Sequence, residues 1–448
     1  MNSVDLTSGS IFKHLMKMTL PMMIGIISLV AFNLVDTYYV GQLGDRELAA
    51  LSFTFPVVTV IFSLVQGLGI GATAIVSRSI GKGDLTSAAS ETTNSLFLGV
   101  FIAGLFVIFG LSTIQFAFRT LGAEEDLIPM ISEYMEVWYI AVLFVVVPFI
   151  GNSAMRATGD AKTPSMIMLF AVIVNAVLDP LFIFGIGPFP EMGIKGAALA
   201  TAISRFFTLV LSLYVLSTKK KLISLNMRPF KEIWACWSKV LYIGLPTGLS
   251  RMITPISASV ITALLATYGE FAVAAYGVGT RVEFLSASLL VALSTAISPF
   301  TGQNWGAERI DRIQKALHIS GIFSITWGLL MAILLYFFSG SIASVFTDDA
   351  SVIKTTTLFL TIVPISFGFQ GIAMIVNANL NTMNRPFTAS ILIIVQMIVI
   401  YLPLAYMGSS IDGIRGIFIA LTITYFLGGT FSFLTSLISL KRIRAKLE

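Results

Sequence analysis

This chain has one cysteine, Cys236, and a single thiol forms no intramolecular disulfide. Histidine is nearly as scarce: His14 and His318 stand far apart and belong to no group with metal-ligand spacing, so no metal site and no redox cofactor is expected. Charge is scarce too. Only 11% of the residues are charged while 56% are hydrophobic, a balance that belongs to a protein dissolved in lipid rather than water. The excess of five positive charges would suggest nucleic acid in a soluble chain. Here the basic residues gather in short connections, where they report orientation instead, and no nucleic-acid partner is expected. A cleavable signal peptide is missing as well: the first apolar run is long, contains Pro21 and Asp36, and is not followed by a small-residue cleavage site. It reads as a retained first helix.

What the chain has in quantity is apolar sequence. Runs near the ~20 residues that cross a bilayer as helix occur at about 11–40, 47–78, 90–114, 127–153, 163–187 and 193–217, then at about 234–268, 272–302, 315–338, 351–378, 387–407 and 414–438. The expected fold is an all-α integral membrane protein with twelve transmembrane helices, embedded in the lipid bilayer. Even-numbered connections carry Arg78 and Lys82, Arg156 and Lys162, Lys219-Lys220-Lys221 with Arg228 and Lys231, then Arg309, Arg312 and Lys315, and Arg385. Odd-numbered connections are acidic, with Asp45 and Glu47, Glu124-Glu125-Asp126, Glu191, Glu270, Asp348-Asp349 and Asp412. The positive-inside rule places both termini in the cytoplasm.

The sequence also echoes itself. Leu20-Pro21 returns as Leu245-Pro246, 225 positions later, and Gly44-Asp45, Ala49-Ala50 and Gly81 return at the same offset as Gly269-Glu270, Ala274-Ala275 and Gly306. Further on, Lys162-Thr163-Pro164 answers to Asn384-Arg385-Pro386, and Gly193-Ile194-Lys195-Gly196 to Gly413-Ile414-Arg415-Gly416. An internal duplication into two six-helix lobes follows, 1–217 and 234–448, joined by a basic cytoplasmic linker at 218–233. Each copy has an even number of spans, so the copies share one orientation, about an axis along the membrane normal.

An ionised side chain near the bilayer centre costs about 2.5–3.5 kcal/mol on insertion scales and normally faces a cavity or a partner. Asp36 sits well inside the first segment, with Asn33 one turn before and Tyr39 one turn after. Asn175 and Asp179, at i and i+4 in the fifth, share a face, as do Tyr134 and Asn152 in the fourth, five full turns apart. The duplication does not keep these groups: Asp36 falls opposite Ile261, and Asn175 and Asp179 opposite the region of Met397 and Tyr401. The second lobe instead has Arg281 and Glu283, two residues apart and so on different sides of their helix, each needing another partner. Structural pairing or gating is the favoured role for that polar pair. Arg205, near the cytoplasmic half of the sixth segment, and Arg251, near an end of the seventh, are read as structural residues.

Leu20-Pro21 with Val35-Asp36, Arg156-Ala157-Thr158-Gly159-Asp160, Asn175-Ala176-Val177-Leu178-Asp179-Pro180, and Ala275-Tyr276-Gly277-Val278-Gly279 with Arg281 and Glu283 together resemble the multidrug and toxic compound extrusion (MATE) transporters, over essentially the whole chain. The resemblance is closest to their DinF-like prokaryotic branch. It implies coupling carboxylates at Asp36 and Asp179, with Asn175 as hydrogen-bonding neighbour, Tyr134 and Asn152 in the surrounding network, and a bend of the first helix at Pro21. It implies a prokaryotic cytoplasmic (inner) membrane and a monomer. A sister branch adds acids in the seventh and tenth helices, and Thr247 to Leu265 and Phe359 to Leu380 contain none. A threonine found beside the two aspartates in similar proteins falls at Ala197 here, with Thr201 one turn later, which removes one hard oxygen ligand for sodium.

The expected function is proton-coupled antiport that exports amphipathic, often cationic, small-molecule drugs by alternating access, with H+ as the coupling ion and Na+ as the alternative. A related flippase of lipid-linked precursors would want a more cationic cavity. No enzyme is expected: an intramembrane aspartyl protease using the two aspartates is the distant rival, and Ala157-Thr158-Gly159-Asp160 lacks its G-x-G-D spacing and lies in a basic loop.

Overall fold

The computed structural model describes residues 4–224 and 229–447; Arg228 and the rest of 225–228 within the linker lie outside the described residues. Those residues form helices and short connections, with no strand among them. The first six helices are α1 (Ile11–Gly41), α2 (Asp45–Gly81), α3 (Leu85–Thr120), α4 (Ile128–Ala157), α5 (Lys162–Ile183) and α6 (Gly193–Tyr214), the last prolonged by a π-helical turn at Val215–Lys219. α7 (Phe230–Arg251) and α8 (Ile253–Ala266) together make the seventh span, interrupted at Met252. Pro255, which has no N–H for the carbonyl of Arg251, accounts for the interruption. α9 (Glu270–Gly306) and α10 (Ile310–Phe346) follow.

The tenth span is α11 (Ala350–Ile362) and α12 (Phe367–Thr382), joined through a 3₁₀ turn at Val363–Ser366 that contains Pro364. The last two spans run as α13 (Pro386–Ile394), a π-helical stretch Val395–Tyr401 and α14 (Leu402–Leu447). Inside α14 the backbone leaves the helix at Asp412 and Gly413, the latter at φ 55° and ψ −136°, a conformation suited to glycine. This break separates the eleventh and twelfth spans at an acidic connection. Helices such as α2, at 37 residues, extend about 55 Å. That is well beyond the ~30 Å of hydrocarbon, so their polar ends reach past it.

Two compact units divide the chain: Met1–Asp5 with Pro21–Leu245, and Leu6–Leu20 with Pro246–Glu448. The boundaries of packing therefore lie at the two prolines of the echo, inside α1 and α7, and not at the linker that separates the two repeats in sequence. In the first unit α2 and the opening half of α7 meet backbone to backbone: a Cβ on Gly71 would lie 2.5 Å from the carbonyl oxygen of Val240, and one on Gly244 2.9 Å from that of Gly67. In the second unit the segment before α1 is held by long-range hydrogen bonds. Leu6 donates its N–H to Gln303 Oε1 at 3.1 Å, its carbonyl accepts from Asn304 Nδ2, and Arg312 donates to the carbonyls of Leu6, Ser8 and Gly9.

On the polar rim of the first unit Lys220 Nζ meets Asp160 Oδ2 at 2.7 Å, and Thr163 donates both its N–H and its hydroxyl to the same carboxylate. Burial pushes the Asp160 carboxyl up, but the hydrogen bonds from Lys220 and Thr163 and the charge of Lys220 outweigh it and hold the group below the usual carboxylate range. The Arg156 to Asp160 motif thus ties the connection before α5 to the start of the linker.

Candidate functional site

The site is built from buried helix stripes in the first unit. On α1 the residues Ser28, Phe32, Asp36 and Val40, four apart, are all buried, so one face of the helix is drawn inward and Asp36 lies on it. On α5 a longer stripe, Ile167, Ala171, Asn175, Asp179 and Ile183, is buried at the same spacing, with Asn175 and Asp179 fully so. Apolar neighbours put these faces inside, and they carry the polar groups with them. α4 supplies Tyr134, buried among Ile131, Met135 and Trp138.

Within that interior Asn175 donates its Nδ2 to Asp179 Oδ1 at 2.9 Å. Asp36 and Asp179 stand close enough to act on each other electrostatically, and Tyr134 lies in the field of both. Asp36 Oδ1, Asp179 Oδ2 and Asn175 Oδ1 are buried and accept no hydrogen bond from the protein. A buried polar atom without a partner is costly and rare, and three of them lie on the buried stripes of α1 and α5. Thr201 on α6, also buried, leaves its hydroxyl oxygen unpartnered in the same way, whereas Ala197 offers no oxygen.

Other candidates fall elsewhere. Asn33 is exposed, because three residues turn a helix back by about 60° relative to the stripe. Tyr39 is half-buried, its ring against Tyr38 and, at 6.3 Å, Phe184. Asn152 shares a face with Tyr134 but stands about 27 Å away along α4, where it accepts from Ser212 Oγ at 3.5 Å. Pro21 is inside an uninterrupted α1, at the boundary between the packing units.

Two groups were undervalued in the sequence. Arg205, read as a structural residue near the cytoplasmic half of its helix, stands with its guanidinium over the ring of Phe32, Cζ 4.1 Å from the centroid, in the electrostatic reach of Asp36 and Tyr134. The signal was an arginine in the middle of the sixth segment, far from its other cation, Lys195, near the start. In the second unit Arg281 is exposed and Glu283 buried, on different sides of α9 as their spacing requires. The partners of Glu283 are Gln370 Nε2 at 2.9 Å and Tyr425 Oη at 2.7 Å, both donating to Oε1, with Tyr276 and Tyr401 nearby. Among the described residues no three His, Cys, Asp or Glu side chains form a metal-binding group.

Comparison with known proteins agrees with this architecture. The MatE family model matches twice, at residues 21–181 and 246–407, each match opening on one of the two echoed prolines. An FAD transporter of Shewanella oneidensis is 38% identical over 95% of this chain and 94% of its own length. The multidrug export protein MepA of Staphylococcus aureus is 28% identical over 92% of this chain and 90% of its own. Among solved structures, the Vibrio cholerae MATE transporter VcmN in the bent form superposes with a TM-score of 0.91 at 30% identity, covering 96% of this chain and 97% of that one.

Proposed function

This chain belongs to the MatE family, and from that premise we propose that it is a proton-coupled antiporter exporting amphipathic, often cationic, organic compounds by alternating access. The protein is a multi-pass membrane transporter of MATE fold and not an enzyme. The observation that carries the finer reading is the pair Asp36 and Asp179, buried in one another's field with an unpartnered oxygen on each.

Two carboxylates so placed repel each other in a medium of low dielectric, and a proton taken up by the pair relieves the repulsion. With both ionised the pair attracts the cationic end of a substrate. A proton arriving from outside removes that attraction, and the substrate leaves. Inward movement of one proton contributes about 2.3 kcal/mol per 100 mV of membrane potential, with any pH gradient in addition. Asn175 holds one oxygen of Asp179, and Tyr134, in the field of both carboxylates, is the group that orients them. The bend at Pro21 belongs to this proposal too, as do the monomeric state, the two lobes at 1–217 and 234–448, and the placement of both termini in the cytoplasm of a prokaryotic inner membrane, supported by the basic even-numbered connections.

Sodium is disfavoured because Ala197 lacks an oxygen ligand. Reconstituted vesicles with pH and sodium gradients imposed separately test the reading: efflux is expected under the pH gradient alone, and undiminished efflux with sodium alone and the proton gradient collapsed would overturn it. A second reading concerns the cargo. The relative at 38% identity is an FAD transporter, which favours a dinucleotide as one substrate.

A further inference from the structure

The buried group that contains the two aspartates also contains a cation. Arg205 projects from α6 onto α1, its guanidinium Cζ 4.1 Å from the ring centre of Phe32, and Phe32 is itself buried. Contact with a buried ring holds the guanidinium in place and leaves its N–H groups for recognition. Its Nε is buried with no hydrogen-bond partner in the protein. The titratable and charged groups that face it are Asp36 on the same element as Phe32, Tyr134 on α4 and, through Asp36, Asp179 on α5. No ion pair within 4 Å joins Arg205 to either aspartate among the described residues. The arginine and the carboxylates therefore share a field without neutralising one another by contact.

A guanidinium held in this way, with its N–H groups unused, suits a carboxylate or a phosphate, either of which it can bind through two parallel hydrogen bonds. We infer that Arg205 is the oxyanion-recognising residue of the transport site, and that the molecules carried best are aromatic compounds bearing a carboxylate or a phosphate together with a cationic or hydrogen-bond-donating end. This rests on the reading of the Asp36 and Asp179 pocket as the transport site and adds the substrate class. Two carboxylates and one guanidinium make a pocket of mixed sign, which a simple cation only half satisfies. A molecule of mixed polarity places its oxyanion on Arg205 and its donor end on the carboxylates, so proton uptake by Asp36 and Asp179 still weakens its hold and export by antiport still follows.

The test uses matched fluorescent ligands that differ in the oxyanion alone: flavin mononucleotide against riboflavin for phosphate, and norfloxacin against its methyl ester for carboxylate. Equilibrium binding to the purified full chain in nanodiscs, with no gradient present, gives one affinity ratio per pair. The wild type is expected to prefer the oxyanion of at least one pair by about tenfold or more, the range of a charge-assisted hydrogen-bonded contact, and the pair that shows it identifies the group. In Arg205→Gln that ratio falls to about one, and Arg205→Lys retains part of it. A wild-type ratio near one in both pairs overturns the inference, as does an unchanged ratio in Arg205→Gln; should that variant not fold, the wild-type and Arg205→Lys ratios still decide. Proton coupling is read separately, in vesicles, so a wild type that pumps on a pH gradient but ignores the oxyanion sinks this inference and leaves the antiport reading standing.

Discussion

The two halves of this chain descend from one repeat, and they treat a buried acid in opposite ways. In the first, Asp36 and Asp179 each keep an oxygen that no protein group satisfies. In the second, Glu283 gives one oxygen to two donors, Gln370 and Tyr425, inside a ring of tyrosines. A carboxylate held by fixed donors contributes order; one left partly open can exchange a proton or a ligand. Burial alone does not separate a working group from a structural one, since all three acids are buried. Satisfaction does.

The contrast breaks most sharply at the aspartates. Asp36→Asn and Asp179→Asn should each abolish efflux driven by a pH gradient while expression persists, because removing a buried charge relieves an insertion cost of about 2.5–3.5 kcal/mol. The double variant should be hardly worse than either single one, as for groups that act as a unit. Vesicle efflux measured beside thermal stability decides it, and near-normal pumping in either single variant would remove the shared site. Glu283→Gln should keep proton coupling, and if it loses coupling where Asp36→Asn does not, the roles of the halves are reversed.

Packing gives the next effect. Gly71→Ala forces a methyl group onto the carbonyl of Val240 and should cost about 1–3 kcal/mol, seen as a lower melting temperature in detergent. Gly104→Ala on α3, where nothing lies within 4 Å, should instead be neutral or slightly stabilising. Tyr425→Phe tests the satisfied half: it removes one of two donors to Glu283 and should destabilise by about 1–2 kcal/mol with little change in transport. The smallest effect belongs to Asp160. Its carboxyl is held below the usual range, so its contribution is full at neutral pH and fades as pH falls through the folded value. The stability gap between wild type and Asp160→Asn, about 1 kcal/mol near pH 7, should close on acidification below the ordinary carboxylate range, and a gap independent of pH would refute the pairing with Lys220.

Hydropathy made the spans legible, since lipid demands long apolar helix and leaves little choice of fold. Their ends were less so. α3 runs Leu85–Thr120 where the apolar run suggests 90–114, because polar turns continue the helix beyond the hydrocarbon. α5 stops at Ile183 rather than 187, since Pro180 lies in its last turn and Gly185 and Gly187 take positive φ. In the site, i and i+4 spacing found Asn175 with Asp179 correctly. Spacing by three set Asn33 beside Asp36, although the buried stripe advances by four, and a shared face grouped Asn152 with Tyr134 without registering the length of helix between them. Arg205 was legible as a charge and not as a neighbour, because its partner Phe32 is 173 positions away in sequence.

The hold on Leu6 has a consequence for how the protein is made. Leu6 is synthesised before Gln303, which receives its N–H and lies 297 positions later, and before Asn304 and Arg312. At about 5–20 residues per second of synthesis, Leu6 waits on the order of half a minute for these partners. Throughout that time the stretch from Leu6 to Gly9 lacks the groups that hold it in the finished protein. Completion of the second unit is thus a late event that closes on residues made long before, and a chain truncated before Gln303 keeps α1 but loses the side chains of Gln303, Asn304 and Arg312 that hold Leu6, Ser8 and Gly9.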